Sequence, residues 1–218
     1  MKFNVCYGIF GVVAGVLLTL VSTIEIRKQH TYRLLRENHV MIDSWKGGIN
    51  SFLERPNSRW FASPVYVSVL DPSGDADAIS NCFKRLPTIA NVSYNCRGKK
   101  IDVSELKPLL FLPDLDGLDI YECQLDPRAW NLVAGLSKLK WINTQSSGIT
   151  DEQLKILQAS KSLTHLHFHS ETLTMEGIKT LVPLKLNGLH LSFMPHLTKK
   201  HQAEIQDLFP YTKVVIED

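Results

Sequence analysis

From about residue 64 onward, apolar and polar residues alternate in short runs that recur at a nearly constant interval. The three clearest runs are Leu112–Leu125, Leu136–Ile149 and Lys161–Leu173, and their apolar columns lie 24 residues apart. Alternation over roughly four to eight residues is typical of a β-strand with one buried face. A period of this length indicates a repeating structural unit. Flanking runs at spacings of 23 to 26 residues bring the total to about seven units.

Signals for the start of a helix fall between these runs. Thr150 and Gln153 form a capping box ahead of an apolar stretch, and Asp102 and Glu105 form another. Asp126 is followed by a proline, which suits the first position of a helix. Each unit is therefore predicted to contain a strand, a turn and a short helix.

The run Leu112–Leu125 resembles the consensus of the leucine-rich repeat family, with Cys123 where that family places Asn or Cys. The period and the helices are most similar to its ribonuclease-inhibitor-like and cysteine-containing subclasses. The resemblance implies an α/β leucine-rich-repeat solenoid, a short right-handed arc with parallel strands inside and helices outside. Such a stack bends because strands are spaced by ~4.8 Å and packed helices by ~8–10 Å. Ser147, Glu171 and Met194 depart from the Asn/Cys position, so no asparagine ladder is expected at those turns.

The amino-terminal run Val5–Ile24 contains twenty residues and no charge. A helix of this length spans the ~30 Å hydrocarbon core of a bilayer, so one transmembrane helix is predicted within residues 1–24. A cleaved secretory signal is the alternative, but no small-residue cleavage pair follows the run. Gly11 and Gly15 form a GxxxG pattern that would allow two such helices to dimerise. Basic residues after the run favour a cytoplasmic location for the rest of the chain. The small number of cysteines is compatible with either side of the membrane.

Charge divides the remaining chain into two parts. Residues 25–60 hold seven Lys or Arg against four Asp or Glu, a net charge of +3, whereas residues 61–218 hold sixteen against eighteen, a net charge of −2. We interpret 25–60 as a basic juxtamembrane helix and linker ending in a cap, and 61–218 as the repeat domain. The net charge of the whole chain is +2, which gives no general case for nucleic acid as a partner.

Three histidines occupy alternate positions of one predicted strand, in the sequence HLHFH. Alternation sends its leucine and phenylalanine to the core and His165, His167 and His169 to the other face. His190 lies in the column of His167 on the next unit, so their side chains should pair across one strand spacing. These four imidazoles could bind Zn²⁺ at ~2.0–2.1 Å. However, the register brings no carboxylate near them, so a contact surface is the preferred interpretation.

The family resemblance implies a protein-interaction module that has no catalytic activity and needs no cofactor. The predicted function is a membrane-anchored module that binds a protein through the concave strand face. A metal-binding sensor or metal-dependent enzyme centred on the four histidines is the alternative. No phosphate loop, dinucleotide fingerprint or nucleophile elbow is present in the sequence. The predicted partner-binding residues are Tyr121, Trp141, Asn143, His165, His167, His169 and His190.

The four cysteines, Cys6, Cys82, Cys96 and Cys123, are too few and too scattered for a disulfide scaffold. No CxxC pair provides the usual spacing of a structural zinc site. A bridge between Cys82 and Cys96 would have to join a predicted helix to a turn beyond the next strand. Free thiols are therefore predicted.

Overall fold

The described chain has a mixed α/β structure built around one central sheet. Parallel strand pairs dominate in that sheet. The computed structural model describes residues 3–46, 63–145, 147–195, 197 and 199–217. The strand order is β1-β2-β3-β5-β7-β8-β9-β10, and among the described strands only the β1–β2 pair is antiparallel. The strands are β1 Val40–Lys46, β2 Ser63–Val69, β3 Asn91–Asn95, β5 Gly117–Tyr121, β7 Trp141–Gln145, β8 His165–His169, β9 Gly188–Ser192 and β10 Lys213–Glu217, with a separate pair formed by β4 Lys100–Ile101 and β6 Gln124–Leu125.

Seven α-helices in the described ranges alternate with these strands. Contacts join α1 to α2, α3 to α4, α4 to α5 and α5 to α6, so these consecutive helices pack beside one another. The helices are α1 Phe3–Glu37, α2 Ala76–Arg85, α3 Val103–Leu106, α4 Pro127–Ala134, α5 Asp151–Leu157, α6 Met175–Lys179 and α7 Lys199–Leu208, and a 3-10 helix spans Lys107–Phe111.

The strand register follows the sequence period. Leu118 pairs with Ile142, and Ile142 pairs with Leu166, which are the columns that the 24-residue spacing aligns. Alternate residues of every parallel strand are buried between the sheet and the helices, because successive side chains of a strand point to opposite faces. The buried strand positions are Val67, Val69, Val92, Tyr94, Leu118, Ile120, Ile142, Thr144, Leu166, Phe168, Leu189, Leu191, Val214 and Ile216.

The predicted helix starts are confirmed. Asp102 and Glu105 form a complete capping box, and so do Thr150 and Gln153. The carboxylate of Asp126 accepts a hydrogen bond from the backbone two residues later, next to a proline in the first turn. These caps accept hydrogen bonds from amide groups that have no partner within the helix. They therefore fix the residue at which each helix begins.

Two serine hydroxyls donate hydrogen bonds to backbone carbonyls of the preceding unit. Ser147 is buried at the position predicted to interrupt the ladder, and its Oγ donates to the carbonyl of Ile120 at 2.7 Å. In the next unit Ser170, one residue before the aligned Glu171, donates to the carbonyl of Ile149 at 2.8 Å. One carbonyl in β5 and one just before α5 thus receive a side-chain donor, as buried polar groups normally do.

The prediction of a transmembrane anchor at Val5–Ile24 is wrong. Within the described ranges, no helix combines the length and the apolar character needed to cross a bilayer. Helix α1 continues without a break through the charged residues that follow Ile24, and Leu35 near its end is fully buried. The single-pass membrane localisation and its cytoplasmic orientation rested on this anchor and are corrected with it.

The other predictions for the amino-terminal part have mixed outcomes. Helix α1 passes through the proposed boundary at residue 24, leaves Val16 and Leu18 exposed, and packs its second half on α2. Strand β1 then covers the outer edge of β2. The rest of the predicted linker and cap, residues 47–62, lies outside the described residues, as do the side-chain surroundings of Gly11 and Gly15, so their dimerisation remains untested.

The prediction that all cysteines are free is also wrong. Cys96 and Cys123 form a disulfide, with Cα atoms 5.1 Å apart. The two residues follow the neighbouring strands β3 and β5, so the parallel register brings their turns together. Cys82 is free and buried in α2, as expected.

Candidate functional site

The sheet face opposite the helices carries the polar and aromatic residues that alternate with the core. We call it the open face, and all seven predicted contact residues lie on it. Of these, His165 is exposed and the other six are partly exposed. They are Tyr121, Trp141, Asn143, His165, His167, His169 and His190.

Trp141 and His165 lean away from each other although their strands are adjacent. Their Cα atoms are partners in the β7–β8 register. The Trp141 ring lies over Gly117 on β5, where a Cβ atom would collide with it. The His165 ring lies over Gly188 on β9, where a Cβ atom would come within 2.9 Å of His165 Cδ2. Each ring thus packs against a glycine, which has no side chain to obstruct it. A gap remains between the two rings.

The next pair along the same two strands diverges in the same way. Asn143 on β7 turns towards β5, where its Nδ2 donates to Asp119 Oδ1 at 2.9 Å and to the Tyr121 hydroxyl at 3.3 Å. His167 on β8 turns towards β9 and stacks on His190. Side chains on both sides therefore leave the β7–β8 boundary uncovered.

A groove of about 610 Å³ follows from this divergence. Ile142 and Leu166 line it although their side chains are buried on the helix side, so the groove reaches the strand backbone. It extends across β8 and β9 to Lys213 and Val215 on β10. Such a concave site, with apolar walls and a few polar groups, is typical of a ligand or peptide site.

Beside the groove, a buried carboxylate organises the β2–β5 half of the open face. Asp119 is only 4% exposed. The Tyr66 hydroxyl donates to its Oδ2 at 2.7 Å, and Asn143 donates to its other oxygen. Burial, followed by the hydrogen bond to Asp119, raises the pKa of Tyr66, and burial and Asp119 also raise the pKa of Tyr121. Both phenols therefore remain neutral. Tyr66 donates to Asp119 and the Tyr121 hydroxyl accepts from Asn143, and this network fixes Asn143 in its turned position.

The histidines of the groove form a stacked pair. The rings of His167 and His190 have centroids 4.1 Å apart and an interplanar angle of 6°. His190 Nε2 lies 3.1 Å from a carboxylate oxygen of Glu217, and His167 Nε2 lies 3.3 Å from Ser192 Oγ. The expectation that no carboxylate lies near these histidines is therefore wrong, because Glu217 at the end of β10 reaches His190. Burial, and then the nearby His190, lower the pKa of His167. The pair therefore favours neutral imidazole at His167.

The four histidines do not converge on one point. Parallel stacked rings direct their nitrogen lone pairs side by side, whereas His169 stacks on Phe193 at 4.6 Å and His165 Nδ1 contacts Thr164 Oγ1 at 3.0 Å. The described part of the chain contains no group of three or more His, Cys, Asp or Glu residues placed to hold a metal ion. This geometry gives no support to the metal-site alternative.

The sequence predicts the open face, but it does not predict every residue that forms the groove and the hydrogen-bond network. The expected pairing of His167 with His190 is confirmed. Tyr66 and Lys213 are not among the predicted contact residues, although both lie in aligned strand columns that place them on this face. His169 belongs to a separate contact with Phe193 and does not line the groove.

Comparison with known proteins adds no identity: no protein-family model matches the sequence, and no curated protein matches it at a significant level. The leucine-rich-repeat resemblance therefore has no support from a family or a relative.

Proposed function

We propose that this chain is a protein-interaction module that binds a partner through the open face and performs no reaction of its own. The finer architecture belongs to the same proposal: the units stack as a short arc of the leucine-rich-repeat kind, with the open face concave. The in-register parallel strands and the sequential helix contacts support it. Strands spaced at ~4.8 Å and helices at ~8–10 Å can share one stack only if it curves towards the strands.

The observation that carries the proposal is the groove between diverging side chains. The rings of Trp141 and His165 pack against glycines, and the strand backbone between the two rings is accessible. Tryptophan is among the residues that contribute most to binding at protein interfaces. The Asp119 network holds Asn143 in place before a partner arrives, so less conformational freedom is lost on binding.

Site-specific photo-crosslinking in cells tests the proposal. A photoreactive amino acid replaces exposed His165 on the open face or, as a matched control, exposed Lys155 on helix α5. We expect a discrete protein adduct from position 165 alone, which disappears when Trp141→Ala is added. The purified adduct protein must also bind the unmodified chain in solution.

The same adducts from both positions, or an adduct that Trp141→Ala leaves unchanged, would contradict the proposal. The thermal unfolding of each variant is measured alongside, so that loss of an adduct is not confused with loss of fold.

A further inference from the structure

We infer that the groove binds an extended segment of the partner that carries an aromatic side chain near Trp141 and a carboxylate near Lys213, about four residues apart. This inference rests on the proposed function and specifies the chemistry of the partner. Three features of the groove lead to it: the splayed rings, the sign of the lining charges, and the distance between its ends.

The splayed rings favour a flat side chain at one end. Trp141 and His165 start from paired positions but lean over Gly117 and Gly188 in opposite directions. Both rings are held against glycines and both line the groove, so ring surface is available to a partner at this end. Aromatic rings gain ~0.5–1.5 kcal/mol from stacked or edge-to-face contacts beyond the area they bury.

The charges that line the groove favour an acidic group at the other end. Lys213 is the one lysine or arginine among its described lining residues, and none of these residues is acidic. Lys213 is exposed and forms no ion pair with any residue in the described ranges. Glu217, the nearest acidic residue along β10, lies in the row of Ser192, with its Oε2 3.1 Å from His190 Nε2, whereas Lys213 lies in the row of Gly188. A carboxylate of the partner is the complementary charge.

The distance between the two ends sets the spacing. Trp141, His165, Gly188 and Lys213 occupy one row across β7, β8, β9 and β10. Three strand spacings of ~4.8 Å give roughly 14 Å. An extended chain advances ~3.3 Å per residue, so the aromatic and acidic side chains should be about four residues apart.

Selection from a library of random peptides, displayed on phage and captured on the full chain, tests the inference. We expect the selected peptides to combine an aromatic residue with Asp or Glu three to five residues away, a window of about one residue around the estimate. A synthetic copy of one peptide is then measured by fluorescence anisotropy. Lys213→Glu should weaken its binding about tenfold, and the helix-side control Lys155→Glu should change it less than about twofold.

The other outcomes separate the two proposals. Selected peptides without an acidic residue that still lose binding on Trp141→Ala would overturn this inference and leave the open face as the binding surface. Peptides that neither Trp141→Ala nor Lys213→Glu affects would overturn both. A library that yields no binding peptide would overturn this inference.

Discussion

The imidazole rings of His167 and His190 lie parallel, with centroids 4.1 Å apart, at paired positions of neighbouring strands. Protonation of both rings would place two positive charges at nearly this separation. Glu217 offsets only part of that repulsion because it lies beside His190, at 3.1 Å. The stack therefore ties the stability of the groove to the protonation of His167.

We predict that acid destabilises the protein through His167. Burial, and then His190, lower its pKa in the folded state below 6.5, while Glu217 and Asp119 act in the opposite direction. A histidine with a lowered folded-state pKa contributes stability that is complete above its unfolded pKa and is lost as the pH falls through the folded pKa. Urea unfolding should show lower stability at pH 5 than at pH 7.5, and His167→Gln should reduce that difference. An unchanged difference would contradict this role.

Replacing the buried carboxylate of Asp119 should destabilise the fold. Asp119→Asn turns one acceptor oxygen into a donor that faces either the Tyr66 hydroxyl or the Asn143 amide. Leaving a buried polar group unpaired costs about 1–3 kcal/mol. The control is Asp114→Asn, whose carboxylate is 65% exposed and pairs with Lys138, so its loss should cost less than ~1 kcal/mol. Equal effects in urea unfolding would show that the network adds no stability.

Adding a side chain at the glycine beneath the Trp141 ring should disturb the groove. In Gly117→Ala the new methyl group would collide with the Trp141 ring and with Asn91 Oδ1. We expect a loss of ~1–3 kcal/mol from overpacking and a change in the near-ultraviolet circular dichroism of tryptophan. Gly135→Ala is the control, because its Cβ would lie 3.4 Å from the carbonyl oxygens of Asn131 and Leu132, which is ordinary contact. An unchanged spectrum in Gly117→Ala would mean that the ring does not rest on this glycine.

The disulfide between Cys96 and Cys123 should contribute strongly to stability. It joins residues 27 positions apart, for which the loss of chain entropy in the unfolded state gives ~3.5 kcal/mol. Cys96→Ser should lower the free energy of unfolding by about that amount. Dithiothreitol should lower it similarly in the natural sequence and have no further effect in the variant. A further loss in the variant would show that the reductant acts elsewhere.

The strands, their register and the helix starts could be predicted because one spacing repeats them. The columns of Leu118, Ile142 and Leu166 are paired as the period of 24 requires. Each capping box was readable from residues three positions apart, as at Thr150 and Gln153. Local and periodic signals in the sequence thus predict most of the sheet.

The details of the site depend on contacts that the period does not contain. Tyr66 donates to Asp119 across 53 positions, and the opposite leans of Trp141 and His165 depend on which neighbouring strand has a glycine in the row. The Cys96–Cys123 pair follows from adjacent turns rather than from a cysteine motif. Alternation can assign a residue to a face, but not the direction in which its side chain turns there.

The most direct test of the account is hydroxyl-radical footprinting of the full chain with the purified crosslinked partner. We predict that the partner lowers the oxidation of Trp141 and His165 on the open face and leaves Phe111, which is 38% exposed in the 3-10 helix, unchanged. Protection of Phe111 with unchanged oxidation of Trp141 and His165 would contradict binding through the open face.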